Sequence, residues 1–373
     1  MLSGTFLLYL FIMISTTFLA AQSQRRRKDG SVVFKKAFFI AAFFIHWVFI
    51  AFTNIGADHD SYAIIIERDA LVYLARGEEV VFNGLCILLY NLTGDSEKVM
   101  FIIKTISTVL FYCSFYLLRK NTNLGLVFLA FNGLELFSSM YIIAHAMAIA
   151  LVLLGAVLIF LEKKWYWPIL LALLAFTIHA SALVMVVVFT AIEIMDKVHI
   201  KVGGPIVVLA IIVIVILINN FSFLFGFVTT NIVSFEQYSE GTLTASNSGL
   251  FNYILYLYIF VVLIWPVLHN NFPNHVRNAS FMFFLFSAIS AFMGYFVPTA
   301  RLNQYSLVLF SVVIPWYFHE VKNIGMQRDK NFQIRKITWI TYMLFLSYTA
   351  LRNALDPQST SMLSNYVFFN PFK

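Results

Sequence analysis

Ser139 to Leu161 reads SMYIIAHAMAIALVLLGAVLIFL, a run without a single Asp, Glu, Lys or Arg, and Glu162-Lys163-Lys164 follow it directly. About 20 residues of helix cross the ~30 Å hydrocarbon core of a bilayer, so this run is long enough to span. Similar apolar runs lie at roughly 2–21, 37–53, 98–118, 124–138, 166–178, 180–195, 205–219, 251–268, 279–297, 302–318 and 337–352. The sequence thus predicts an all-α polytopic integral membrane protein with about 12 transmembrane helices. One further run, Val80 to Leu92, rises only ~20 Å as a helix and is expected to be re-entrant or interfacial.

Composition agrees: 61% of residues are hydrophobic and 12% are charged. A soluble globular domain carries roughly 45–50% apolar and about 25% charged residues. So few charges could not cover a water-facing surface of this size. The two cysteines, Cys86 and Cys113, both lie in apolar stretches and offer neither a disulfide framework nor a metal motif. We expect no metal and no cofactor.

The net charge of +7 could suggest nucleic acid, but the basic residues sit in short clusters between apolar runs. That is the positive-inside pattern. It puts Arg25-Arg26-Arg27-Lys28, Lys35-Lys36, Arg119-Lys120, Lys163-Lys164, Lys197, Lys201, Arg277, Lys322, Arg328, Lys330 and Arg335-Lys336 in the cytoplasm. The first run has no basic residue before it and is expected to stay as an uncleaved helix with its N-terminus outside. Residues 1–373 then form one transmembrane domain with outer loops at about 54–79 and 219–250. No soluble domain or internal repeat is visible.

Ionisable groups at membrane depth cost roughly 2.5–3.5 kcal/mol each, so their positions are informative. Lys104, Glu135, His145, His179 and Arg301 all fall towards the outer ends of their runs, and Asp58, Asp60, Glu78 and Glu79 lie in the first outer loop. This asymmetry points to one polar cavity opening outward. Bland alternatives stand beside it. Arg301 could snorkel to headgroups, the two histidines could be hydrogen-bonded core residues, and Glu135 could be a neutral, internally paired acid. His46, mid-helix, is expected to be a packing histidine, and Asp60, Glu67, Arg68 and Asp69 the solvated face of an amphipathic helix. Tyr62, Tyr238, Tyr253 and Tyr305 could stack on sugars or anchor at the interface. No Walker A loop, GxGxxG, HExxH or GxSxG is present.

Several short elements, taken in order, resemble the EpsG/Wzy-type polysaccharide polymerases. Gly56-Ala57-Asp58-His59-Asp60-Ser61-Tyr62 is similar to the family's G-x-D-x-x-x-Y, and Glu79-Val80-Val81-Phe82 to its E-x-x-F. Ala144-His145-Ala146-Met147-Ala148 stands where the family has R-Q-x-x-A, with Ala144 in place of the arginine. His179-Ala180-Ser181-Ala182-Leu183 resembles H-x-S-A-L, Arg301-Leu302-Asn303-Gln304-Tyr305 resembles R-x-x-x-Y, and Tyr366-Val367-Phe368-Phe369 resembles the aromatic tail.

The resemblance implies a membrane glycosyltransferase of GT-C type in the bacterial inner membrane, with its active site facing the periplasm. It would polymerise undecaprenyl-pyrophosphate-linked repeat units of O-antigen, capsule or exopolysaccharide by inverting, metal-independent transfer. Asp58 or Glu79 would be the general base. Arg301, with His145 or His179, would hold the pyrophosphate, while Tyr62, Tyr305 and Glu135 would bind substrate. Implied partners are the lipid-linked donor and acceptor, membrane lipids and a chain-length regulator, with no nucleic acid. Two rival enzymes are an O-antigen ligase-like glycosyltransferase and a membrane O-acyltransferase using His145 and His179. A flippase would need midplane sites and inverted repeats, and neither is seen.

Overall fold

The computed structural model describes residues 4–26, 32–54, 56, 58–200, 273–293, 297–323, 330–355 and 363. The runs expected at 205–219 and 251–268, the loop 219–250, Tyr238, Tyr253 and the tail elements from Tyr366 lie outside the described residues.

The helices are α1 (Gly4–Gln22), α2 (Lys36–Ala51), α3 (His59–Ile64), α4 (Ala70–Ala75), α5 (Val80–Thr93), α6 (Ser96–Leu118) and α7 (Leu124–Leu134). After them come α8 (Ser138–Tyr141), α9 (Ile143–Phe160), α10 (Tyr166–Ile178), α11 (Leu183–Lys197), α12 (Asn274–Met293), α13 (Val297–Asn323) and α14 (Lys330–Leu355). A π turn, Ile65–Asp69, joins α3 to α4. Among the described helices, α1, α6 and α9 are both long and apolar enough to cross a membrane, while α2, α5, α7 and α10 are apolar but shorter. The other crossings expected from the sequence rest on these shorter or more polar helices and on residues outside those described.

The run that decided the fold class becomes α9, and nearly all of its residues are buried. A helix that is apolar on every face belongs inside a bundle. α9 packs against α6, α10, α12 and α13. The sequence divided its surroundings at residue 138; in the structure α7 ends at Leu134 and Glu135 caps it, so the break comes slightly earlier.

A polar network fixes the register of four helices. His46 of α2 is fully buried, with Nε2 2.8 Å from Asn132 Oδ1 and Nδ1 2.9 Å from the Tyr112 hydroxyl. Asn132 Nδ2 donates to the carbonyl of Met13 and to the hydroxyls of Thr16 and Thr17, at 3.1, 3.0 and 3.0 Å. So α1, α2, α6 and α7 meet through the bonded pair Asn132 and His46, and His46 is the satisfied packing histidine its position suggested.

The two ends of the bundle differ. Gln24 donates to the carbonyls of Arg119 and Thr122 and accepts from the Leu124 amide at 2.7 Å, tying the α1 end to the α6–α7 turn. His275 Nδ1 lies 3.1 Å from Glu162 Oε1, and Asn278 donates to Asp196 at 2.5 Å. These bonds bring the start of α12 to the α9–α10 turn and the end of α11. The basic loops of the described chain therefore gather at one end.

One element departs from the all-α expectation. Gln24–Arg26 (β1) pairs antiparallel with Val32–Phe34 (β2), with Arg25 opposite Val33. Val32-Val33-Phe34 has strong strand preference and a basic partner, but three residues are too short for periodicity to reveal.

α5 is 14 residues long. It starts beside His179, at the end away from the basic loops. Past its other end, Ser96 donates to Glu67 of the π turn at 2.6 Å and Glu97 pairs with His59 at 2.7 Å. Glu67 is bonded here rather than simply solvated, whereas Asp60 is exposed and Arg68 pairs with Asp69 at the surface.

Replacing Asn132 with Ala strips partners from His46, Thr16 and Thr17. We expect a loss of about 1–2 kcal/mol, the upper range for interhelical bonds in membrane proteins. Reversible unfolding in mixed micelles would measure it. A change below ~0.3 kcal/mol would remove this network from the forces that set helix register.

Candidate active site

Two loops meet to form the centre of the site. α10 ends at Ile178, and His179 caps it in extended conformation before a 3-10 turn, Ala180–Ala182, leads into α11. On the facing side the α4–α5 turn passes through Gly77 at φ +74° to Glu79, which caps α5 in the left-handed region (φ 42°, ψ 51°). Asn83 holds that turn, its amide donating to the Glu79 carbonyl at 2.9 Å and its side chain to the Glu78 carbonyl at 2.8 Å.

Glu79 Oε1 and His179 Nδ1 then lie 2.5 Å apart. An ionised carboxylate only accepts, so Nδ1 carries the proton and Nε2 is left to act on something else. Nε2 is buried and has no hydrogen-bond partner among the described residues.

Behind this pair stands His145, in the first turn of α9 and fully buried. Its ring meets that of His179 edge to face at 4.9 Å and that of Tyr305 at the same separation. The Tyr305 hydroxyl is 3.2 Å from Ser181 Oγ. One residue earlier, Gln304 Nε2 donates to Ser138 Oγ at 3.3 Å, reaching the turn that holds Glu135. Glu135 is buried, accepts from Ser139 Oγ at 3.2 Å through Oε1, and leaves Oε2 without a hydrogen-bond partner among the described residues. Its partner within the protein is thus the Ser139 hydroxyl.

The loop between α2 and α3 docks on the same region. Gly56 adopts φ +132°, and a Cβ there would fall 2.2 Å from Tyr141 Cβ. Only glycine allows that approach. The Tyr62 hydroxyl, just beyond, accepts a long bond of 3.4 Å from the Ala144 amide, and its ring packs edge-on to Phe82 at 5.9 Å. Asp58 immediately precedes α3, half-buried, with its backbone carbonyl accepting from the Tyr62 amide at 2.9 Å. No hydrogen bond joins its carboxylate to the Glu79–His179 pair among the described residues. Lys104 does not enter the site; it is buried and donates to the Thr53 carbonyl at 2.7 Å. Arg301 lies one turn before Tyr305 in α13, and its side chain is outside the described residues.

The structure thus brings Glu79, His145, His179 and Tyr305 into one array, with Tyr62 and Glu135 at its edges. Asp58 stays on the docked loop. Ser181 stood inside the H-x-S-A-L element without a role, and its contact with Tyr305 supplies one. Ser138 and Gln304 carried no signal of their own.

A buried array of histidine, carboxylate and tyrosine, at the end of a helical bundle opposite its basic loops, defines a membrane protein with a site for a polar group. The chain belongs to the EpsG family, whose model matches residues 36–368, and that family is one of Wzy-type polysaccharide polymerases. No curated protein and no solved structure matches the chain.

Gly56 offers a steric test of this assembly. Gly56→Ala should displace the loop from Tyr141 and cut polymer formation at least ~10-fold at equal membrane abundance. Gly77→Ala meets nothing within 4 Å and should cost only about 1 kcal/mol for its positive φ. Equal activity of the two variants would show that docking of the loop is unimportant.

Proposed function

We propose that the protein extends an undecaprenyl-pyrophosphate-linked glycan at the periplasmic face of a bacterial inner membrane. The observation that carries this reading is the Glu79–His179 pair, held at the end away from the basic loops in an EpsG family member. An acceptor-sugar hydroxyl attacks the anomeric carbon of the donor from the side opposite the pyrophosphate. Its proton passes to His179 Nε2 while Glu79 holds Nδ1 and stabilises the imidazolium that forms. The glycosyl–oxygen bond breaks and undecaprenyl pyrophosphate leaves. The product is inverted at that carbon.

Glu79 therefore acts through His179, which sharpens the choice between Asp58 and Glu79. Asp58, on the docked loop, is assigned to holding acceptor hydroxyls. Arg301, one turn from Tyr305, neutralises the leaving pyrophosphate, since guanidinium offers paired donors and stays charged. His145 stands beside the reacting groups where the family pattern has its R-Q pair. Tyr62, Tyr305 and Glu135 contribute hydroxyl and carboxyl contacts to sugar. Leu88 and Leu92, exposed on α5, offer an apolar surface to a polyprenyl chain. We read residues 1–373 as one transmembrane domain of GT-C type with about 12 crossings, working with lipid-linked donor and acceptor and a chain-length regulator.

The test is the glycan ladder of a deletion strain complemented with variants. Glu79→Gln, His179→Gln and Arg301→Ala should each leave single repeat units capped on the surface and no long chains. Loss of a proton acceptor typically costs about 10²–10⁴-fold in rate. Tyr305→Phe should shorten chains without abolishing them. Full-length polymer from Glu79→Gln and His179→Gln would refute the assignment. Loss of even the single unit would instead favour a ligase.

A further inference from the structure

The buried residues of α5 are Phe82, Asn83 and Cys86, and of these Asn83 alone carries an amide. It is 3% exposed, between an aromatic ring and a thiol that are buried more deeply still. An amide in such surroundings must be hydrogen-bonded to be tolerated. Leucine would serve the helix itself better. Among the described residues the Asn83 side chain ties α5 to no other helix. Its Nδ2 donates to the Glu78 carbonyl at 2.8 Å, five positions back in the chain.

That bond bears on the residue after Glu78. Glu79 has φ 42° and ψ 51°, a conformation that glycine and asparagine adopt far more readily than glutamate. The easy escape is for Glu79 to turn its φ negative and join the helix. α5 would then begin one residue sooner, and the Glu79 side chain would leave the backbone in another direction. A helix continued back in this way would place the Glu78 carbonyl on the Phe82 amide. With the Asn83 side chain on that carbonyl, the Glu78–Glu79 peptide is held in its turned orientation. The carboxylate itself is weakly confined. Glu79 is 28% exposed against 12% for His179, so water is open to it as an alternative to the imidazole. Its 2.5 Å contact with His179 Nδ1 therefore depends on the backbone beneath it.

We propose that Asn83 is a positioning residue: it locks the left-handed cap at Glu79 and so keeps the carboxylate on His179 during glycosyl transfer. This rests on the role given above to the Glu79–His179 pair. Asn83 touches neither sugar nor pyrophosphate. Its effect falls on the rate of the transfer step and not on the hold on substrate, because the contacts assigned to Arg301, Tyr62 and Asp58 are made elsewhere.

Asn83→Leu keeps the side-chain volume, favours the helix and removes the donor. The test uses the purified full chain in detergent, supplied with lipid-linked repeat units extracted from the deletion strain. In Asn83→Leu kcat should fall about 10²-fold, the cost of displacing a reacting group by ~1 Å, while KM stays within about twofold. On the Glu79→Gln background the same substitution should cost nothing more, since the carboxylate it positions is already gone. Asn91→Ala, on the exposed side of the same helix, should leave kcat unchanged. Wild-type kcat from Asn83→Leu beside an impaired Glu79→Gln would overturn the proposal and leave the reading of the pair intact. A full further loss on the Glu79→Gln background would also overturn it, as the sign of a purely structural role. Wild-type kcat from Glu79→Gln itself would remove both. Should Asn83→Leu fail to insert, Asn83→Ala on the same two backgrounds decides the matter.

Discussion

Inside a bilayer a polar group has no water to turn to, and each one that is buried must find its partner within the protein. Asn132 is where that constraint bears most heavily. Its amide accepts or donates to partners on α1 and α2, and through His46 to Tyr112 on α6. Sliding any of these helices by one turn would strand several polar atoms at once. α7 is consequently pinned in the middle. Its end at Leu134, the Glu135 cap and the α8 turn follow at fixed height, and they deliver Ala144 and His145 to the end of the bundle away from the basic loops.

That fixed height explains how distant parts of the chain can share a site. Glu79 and His179 are 100 positions apart, and Ser181 and Tyr305 are 124 apart. Glu79, His179 and Ser181 come from helix ends or turns next to them, where backbone conformation can depart from helical values, while Tyr305 reaches them from inside α13. The extended cap at His179 and the left-handed cap at Glu79 turn the two side chains towards one another.

Much of this was legible in the sequence, for reasons that can be traced to particular residues. Charged side chains are so costly in hydrocarbon that the positions of Lys163, Lys164, Arg119 and Lys120 alone order the turns. Val80 to Leu92 read as too short to cross, and α5 is indeed one of the shorter apolar helices, Val80–Thr93. His145 and His179 stood out because an ionisable ring at depth demands an explanation. The ribbon did not stand out, since three-residue strands have no readable period. Nor did Gln304 and Ser138, whose bond joins residues 166 positions apart with no pattern at either end. That Glu79 rather than Asp58 contacts His179 needed the fold, because both are acids in one loop. Only coordinates reveal which one faces His179. Ala144 illustrates the limit of motif reading. It departs from the family's arginine, yet its amide rather than its side chain meets Tyr62.

The left-handed backbone at Glu79 has a thermodynamic meaning beyond aiming a side chain. A residue other than glycine in that region costs of order 1 kcal/mol, and the surrounding bonds from Asn83 must hold it there. Asparagine or glycine would sit at this position more comfortably. The protein therefore keeps a locally uncomfortable residue where an easier one is available. Selection for stability alone would remove the carboxylate, and thermostable variants sought by screening would tend to arise there at the expense of turnover.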